Sequence, residues 1–127
     1  MPFRHTFQDH FVHIEWYGLL TPADFAQLLQ ELPRIGRSLG YAPNILHTFD
    51  EVLEIRVDYA FLTSHSRQRE AIYLPNKVKI ATVSDRPMIY GLSRMIESIN
   101  KSPLFEMHAF KLRAEAEAWL DGALTGQ

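Results

Sequence analysis

Apolar residues recur along this chain with two periods, about two in short stretches and about 3.6 in longer ones, so strands alternate with helices. Residues 3–8 and 11–18 alternate on either side of a short polar turn and predict an N-terminal β-hairpin. Thr21-Pro22-Ala23-Asp24 is a helix start, with Thr21 as cap, Pro22 in the first helical position and Asp24 at the positive end of the dipole. Phe25, Leu28, Leu29, Leu32 and Ile35 follow at helical spacing. Pro33 predicts a fray or kink, and Gly36 and Gly40 mark the exit. Residues 44–49 read as a buried strand, followed by a mixed segment, and Asp58 caps a helix over roughly 59–71. Residues 77–84 form the clearest strand. Asp85 and Pro87 then open a helix with Met88, Leu92, Met95, Ile96 and Ile99 on one face. After Pro103 comes a strand at 105–110, and a last helix over about 113–124 buries Ala116, Trp119, Leu120 and Ala123. The order β-β-α-β-α-β-α-β-α predicts an α/β fold: a mostly parallel five-stranded sheet, an antiparallel N-terminal strand and right-handed crossovers.

A sheet covered on both faces has strands that are apolar almost throughout. Here Val12, Ile14 and Trp16 alternate with His13, Glu15 and Tyr17, and Met107 and Ala109 alternate with Glu106 and His108. Two layers are therefore expected, with helices mainly on one face and the other face open to a partner subunit, a ligand or water.

Composition bounds the rest. A chain of 127 residues, 46% hydrophobic and 22% charged, reads as one globular domain over 1–127. Its formal net charge of −2 gives no electrostatic footprint for nucleic acid. Without cysteine there is no disulfide framework, thiolate zinc site, iron–sulfur cluster or cysteine nucleophile. No apolar run reaches the length of a signal peptide or of the ~20-residue spanning helix, so no stable membrane insertion and a cytoplasmic location are expected.

The same order, with Tyr17 to Phe25 (YGLLTPADF), Lys79 to Asp85 (KIATVSD) and Phe110 to Leu120 (FKLRAEAEAWL), resembles the SpoIIAA-like family of STAS-related domains and, more distantly, Sec14-type lipid-binding domains. The resemblance implies a short two-layer β/α superhelix. In the STAS anti-sigma-factor antagonists a strand ends in Asp, a second Asp follows eight residues later, and a phosphorylatable Ser comes next. The equivalent positions here are Asp50, Asp58 and Tyr59, with Phe61 at the family's Gly. The serine switch is therefore not retained.

Other candidate chemistry has to be weighed against plainer readings. Six histidines invite a metal site, for example through His13 with Glu15, or His47 with His108, but no close ligand spacing supports one. Ser64-His65-Ser66 places a base beside a nucleophile, yet helix neighbours diverge and no nucleophile elbow surrounds them, so it reads as helix surface. Arg67-Gln68-Arg69 with Arg56 reads as a solvated basic face. Ser84, Asp85 and Arg86 lie where a parallel strand enters a helix, a junction that favours anions, although capping is the commonest role of such an Asp.

The residues thus point to a non-enzymatic binding or regulatory module that acts through protein–protein contacts, with itself as a homodimer or with a regulatory protein. No catalytic residue, cofactor, metal or nucleic-acid partner is assigned. The alternative is a carrier of a lipid or small apolar molecule, with a pocket between helices and sheet and Met88, Met95 and Met107 as adaptable liners.

Overall fold

The computed structural model describes residues 2–8 and 10–122. Its elements are β1 (Phe3–Phe7), β2 (Phe11–Leu20), α1 (Pro22–Leu39), β3 (Asn44–Ile55), α2 (Tyr59–Glu70), β4 (Val78–Val83), α3 (Pro87–Ile99), β5 (Phe105–Phe110) and α4 (Arg113–Leu120). The strands lie side by side in chain order; β1 is antiparallel to β2 and every other pair is parallel. When each parallel strand is laid beside its predecessor, crossovers of one hand must all fall on one face. The packing agrees: Leu28 and Ile35 of α1 and Ile89 of α3 meet Ile14, Trp16, Ile45 and Ile80 in one core.

The fourth helix does otherwise. Beyond β5, at the sheet edge, the chain turns under, and Ala116, Trp119 and Leu120 of α4 pack on Leu46, Ala81 and Val83 from the opposite side. Helices thus lie mainly on one face, but the other is partly covered rather than open. The mixed alternation in the strands reflects this. Next to α4 the second face is apolar, whereas over β1–β3 it carries Arg4, paired with Glu15 at 3.8 Å and Glu51 at 2.9 Å.

Four local expectations change. Pro33 does not break α1, which continues to Leu39 and ends at Gly40, whose φ of 79° suits glycine and whose N–H reaches Gly36 O at 2.9 Å. The apolar stripe from Phe25 to Ile35 packs on the sheet on both sides of the proline, so the one missing backbone bond is tolerated. β3 runs to Ile55 and does not stop near Asp50. Its pairing with β2 slips twice, between Glu15 and Tyr17 and between Gly18 and Leu19, as two extra residues of β3 are absorbed. These bulges bring Phe49 and Val52, three apart, into the same core and leave Asp50, Glu51, Leu53 and Glu54 exposed, which erases the alternation by which a strand is recognised.

At α3 the N-cap is Arg86, not Asp85, and Ser84 Oγ accepts the Arg86 N–H at 3.1 Å. The inward stripe is Ile89, Ser93 and Ile96, so Met88 and Met95 face solvent. Leu92 and Ile96 suit either phase, which is why the periodicity left the face one residue out of register. At α4 the expected buried residue Ala123 lies outside the described residues. Among the described residues no helix is long and apolar enough to cross a membrane.

Candidate functional site

Helix α2 is the anomaly of the fold. It begins where the sequence says it should, with Asp58 accepting the Phe61 N–H at 2.8 Å. A helix lying on a sheet should turn a continuous apolar stripe inward. The inward stripe of α2 is Phe61, Leu62, His65, Ser66 and Arg69, apolar for its first turn and polar for the next two. Ser66 is 1% exposed and Arg69 6%, so neither belongs to the solvated surface that Ser64-His65-Ser66 and the basic Arg67-Gln68-Arg69 run predict. Arg56, grouped with that run in the sequence, pairs at the surface with Glu54.

Between this stripe and the sheet lies a partly open cavity of about 90 Å³. Its floor is Trp16, Ile45, His47, Phe49, Ile80, Thr82 and Met107 from β2 to β5; its sides are α1 and α3. Rings dominate one end: Trp16 lies 4.9 Å from Phe25 and stacks with Phe49 at 6.5 Å, and Phe61 lies 5.2 Å from His65. Two of its polar groups have partners. The Trp16 Nε1–H donates to His47 Nδ1 at 3.0 Å, and Ser93 Oγ–H donates to Ile89 O of its own helix at 2.9 Å. Three polar atoms of its lining residues are buried without one, His65 Nδ1 and Nε and Nη2 of Arg69, as is Ser66 Oγ beside them in α2.

The electrostatics follow from the burial of its polar side chains. Burial, then the charge of Arg69 and of the neighbouring histidines, lowers the His47 pKa to about 3. Burial and Arg69 lower His65 to about 4. Both rings are therefore neutral near pH 7, which suits His47 as acceptor of the tryptophan N–H. Burial also lowers Arg69, but a guanidinium stays protonated at any ordinary pH. Among the described residues the cavity holds one fixed positive charge, and no carboxylate lines it.

The cavity adjoins a larger apolar cleft. Leu32 and Ile45 line both spaces, and the cleft, about 390 Å³, opens at the amino ends of the parallel strands between α1 and the segment leaving α2. Gly36, Tyr41, Tyr73 and Leu74 are among its walls.

The positions singled out in the sequence do not converge on this cavity. Asp50 sits exposed at a bulge in β3, Asp58 serves as the α2 cap, and Tyr59 is 62% exposed in the first turn. Ser84 and Asp85 lie at the other parallel-strand exit, and the Arg86 guanidinium donates to Val52 O at 2.7 Å. His13 and Glu15 share the second face, where His13 and Thr48 form a buried hydrogen bond of 2.8 Å. His47 and His108 point to opposite faces, His108 standing edge-on to Trp119 at 4.8 Å. Among the described residues no three His, Asp or Glu side chains come together as a metal site. Of the three methionines expected to line a pocket, only Met107 does so.

A sequential parallel sheet with an antiparallel first strand, three helices on one face and one on the other defines the class, an α/β fold of SpoIIAA-like type. The crystal structure of an uncharacterised protein of the DUF3478 family with a SpoIIAA-like fold, from Shewanella loihica, superposes with a TM-score of 0.57 over 93% of this chain and 91% of that one, at 14% identity. At that identity the likeness is one of fold. No family model and no curated protein matches the sequence.

Proposed function

We propose that this chain is a non-enzymatic, cytoplasmic binding protein for a small ligand held between the α1–α3 layer and the sheet. The observation behind this reading is the polar inward stripe of α2 over a ring-lined cavity. A helix whose only task was to cover a sheet would bury leucines there, and local rules are broken where function requires it. The adjoining cleft of about 390 Å³ lies in the ordinary range of ligand pockets, ~300–1,000 Å³. No catalytic step is assigned, since neither Ser66 nor Ser93 is hydrogen-bonded to a histidine. Methyl NMR of the full chain titrated with 1-decanol tests the reading. Shifts centred on Leu28, Leu32 and Ile45 support it; a spectrum unchanged to the solubility limit, with no co-purified molecule in native mass spectrometry, refutes it.

A second reading, a module that docks on a regulatory protein or on its own copy, is favoured by a different observation. Leu53 at 84% exposure and Met88 at 72% follow Val52 and Arg86 by one and two residues, and the Arg86 guanidinium donates to Val52 O. Exposed apolar side chains that form one patch mark interaction surfaces. Sedimentation across a wide concentration range checks it: self-association lost in Leu53→Asp supports the surface, and an unaltered monomer with no captured partner counts against it.

A further inference from the structure

Arg69 is the one feature of the cavity that a purely apolar ligand leaves unexplained. A buried guanidinium is tolerated when a carboxylate or several carbonyls take up its protons, and a charge without them is strongly unfavourable. Here Nε and Nη2 are both buried without a hydrogen-bond partner, and the adjacent acid, Glu70, is exposed on the outer side of the helix and acts on Arg69 only through its charge. The two orphaned donors lie on one edge of the guanidinium plane, the edge that fits the two oxygens of a carboxylate. One turn earlier, Ser66 Oγ and His65 Nδ1 are also unpartnered and buried.

We infer that Arg69 anchors the carboxylate of an amphipathic monocarboxylic acid, whose apolar chain lies in the adjoining cleft. The inference rests on the small-ligand reading and names its ligand class. Charge decides between anions: the cavity offers one cation, which one carboxylate neutralises, whereas a phosphate monoester brings close to two negative charges and three acceptor oxygens. Volume decides the orientation. The cavity of about 90 Å³ has room for a head group of roughly three water volumes, at ~30 Å³ each, and not for a chain as well. The cleft has the space for the chain, its walls are apolar, and it meets the cavity at Leu32 and Ile45. Arg69 stands at that boundary, because the residues just beyond it, Ile72 to Pro75, already wall the cleft.

The test compares decanoate, 1-decanol and decyl phosphate by titration calorimetry on the full chain at neutral pH. Decanoate is expected to bind more tightly than 1-decanol by about 10- to 100-fold, the ordinary worth of a hydrogen bond to a charged group. Arg69→Met should abolish that preference, and Arg69→Lys should keep part of it. Equal affinity for decanoate and 1-decanol overturns the anchor and leaves the small-ligand reading standing; no binding of any probe overturns both. Tighter binding of decyl phosphate overturns the assignment to a carboxylate. The comparison of probes on the unaltered protein decides the matter even if Arg69→Met fails to fold.

Discussion

The buried histidines make the stability of this protein acid-sensitive above the range where carboxylates titrate. His47 accepts the Trp16 N–H and so must be neutral in the fold, and His65 faces the Arg69 charge. Their folded-state values, about 3 and about 4, lie below the 6.5 of a free imidazole. The unfolded chain therefore binds protons that the folded chain refuses. The stability attached to these rings is complete above pH 6.5 and is lost as pH falls from there toward 4 and 3. Each fully refused proton is worth ~1.4 kcal/mol per pH unit, and the unfolded rings are half protonated at about pH 6.5, so between about pH 6.5 and about pH 5 the two rings together remove ~3 kcal/mol. That is a large share of the ~5–15 kcal/mol that holds a domain of this size. The buried His13, lowered by burial and then by Arg113, acts in the same direction. Urea unfolding at a series of pH values measures the slope. In His47→Asn, whose amide oxygen can still accept the Trp16 N–H, the loss over that interval should fall by about 2 kcal/mol. A wild-type stability that stays flat from about pH 7 to about pH 5 would refute this account of the cavity.

Other substitutions probe separate parts of the fold. Arg69→Met removes an unpartnered buried charge and should raise the apo protein's unfolding free energy by about 1–4 kcal/mol in the same urea assay, at the expense of any anion preference. Asp58→Ala removes the acceptor for Phe61 N–H and should lower stability by ~1 kcal/mol, with hydrogen exchange quickening first in the opening turn of α2. Trp119→Ala empties the small core under α4 and should cost ~3–5 kcal/mol, seen as a lower melting temperature in calorimetry.

How far the sequence could be read depended on the kind of signal each element sends. The hairpin, the α1 start at Thr21-Pro22, the Asp58 cap and the strands at 78–83 and 105–110 announce themselves through residues close together in the chain. So does the resemblance of the stretches 17–25, 79–85 and 110–120 to SpoIIAA-like proteins, which the structure matches as a fold. The second half of β3 sends no such signal, since its two bulges exist only because β2 offers fewer partners than β3 has residues. The phase of α3 was likewise undetermined, because Leu92 and Ile96 satisfy two neighbouring faces and contact with the sheet selects the one with Ile89 and Ser93. The candidate site was the least legible part. Ser66 and Arg69 look like the surface of an ordinary charged helix, and only a low apolar content in α2 hints that its inner face is unusual.

The sequence by itself determined the order and nature of the nine elements among the described residues and, through the alternation after the first hairpin with short connections, a mostly parallel sheet with its crossovers on one side. Only the tertiary structure decided that α4 lies on the far face, that β3 bulges, and that His65 and Arg69 of an apparently solvated helix line a cavity. The physical reason is range. Caps, turns and periodicity are set by residues within a few positions of one another, whereas burial belongs to surfaces that meet after the chain has closed on itself. A serine or arginine reads the same in sequence whether water or a sheet lies opposite.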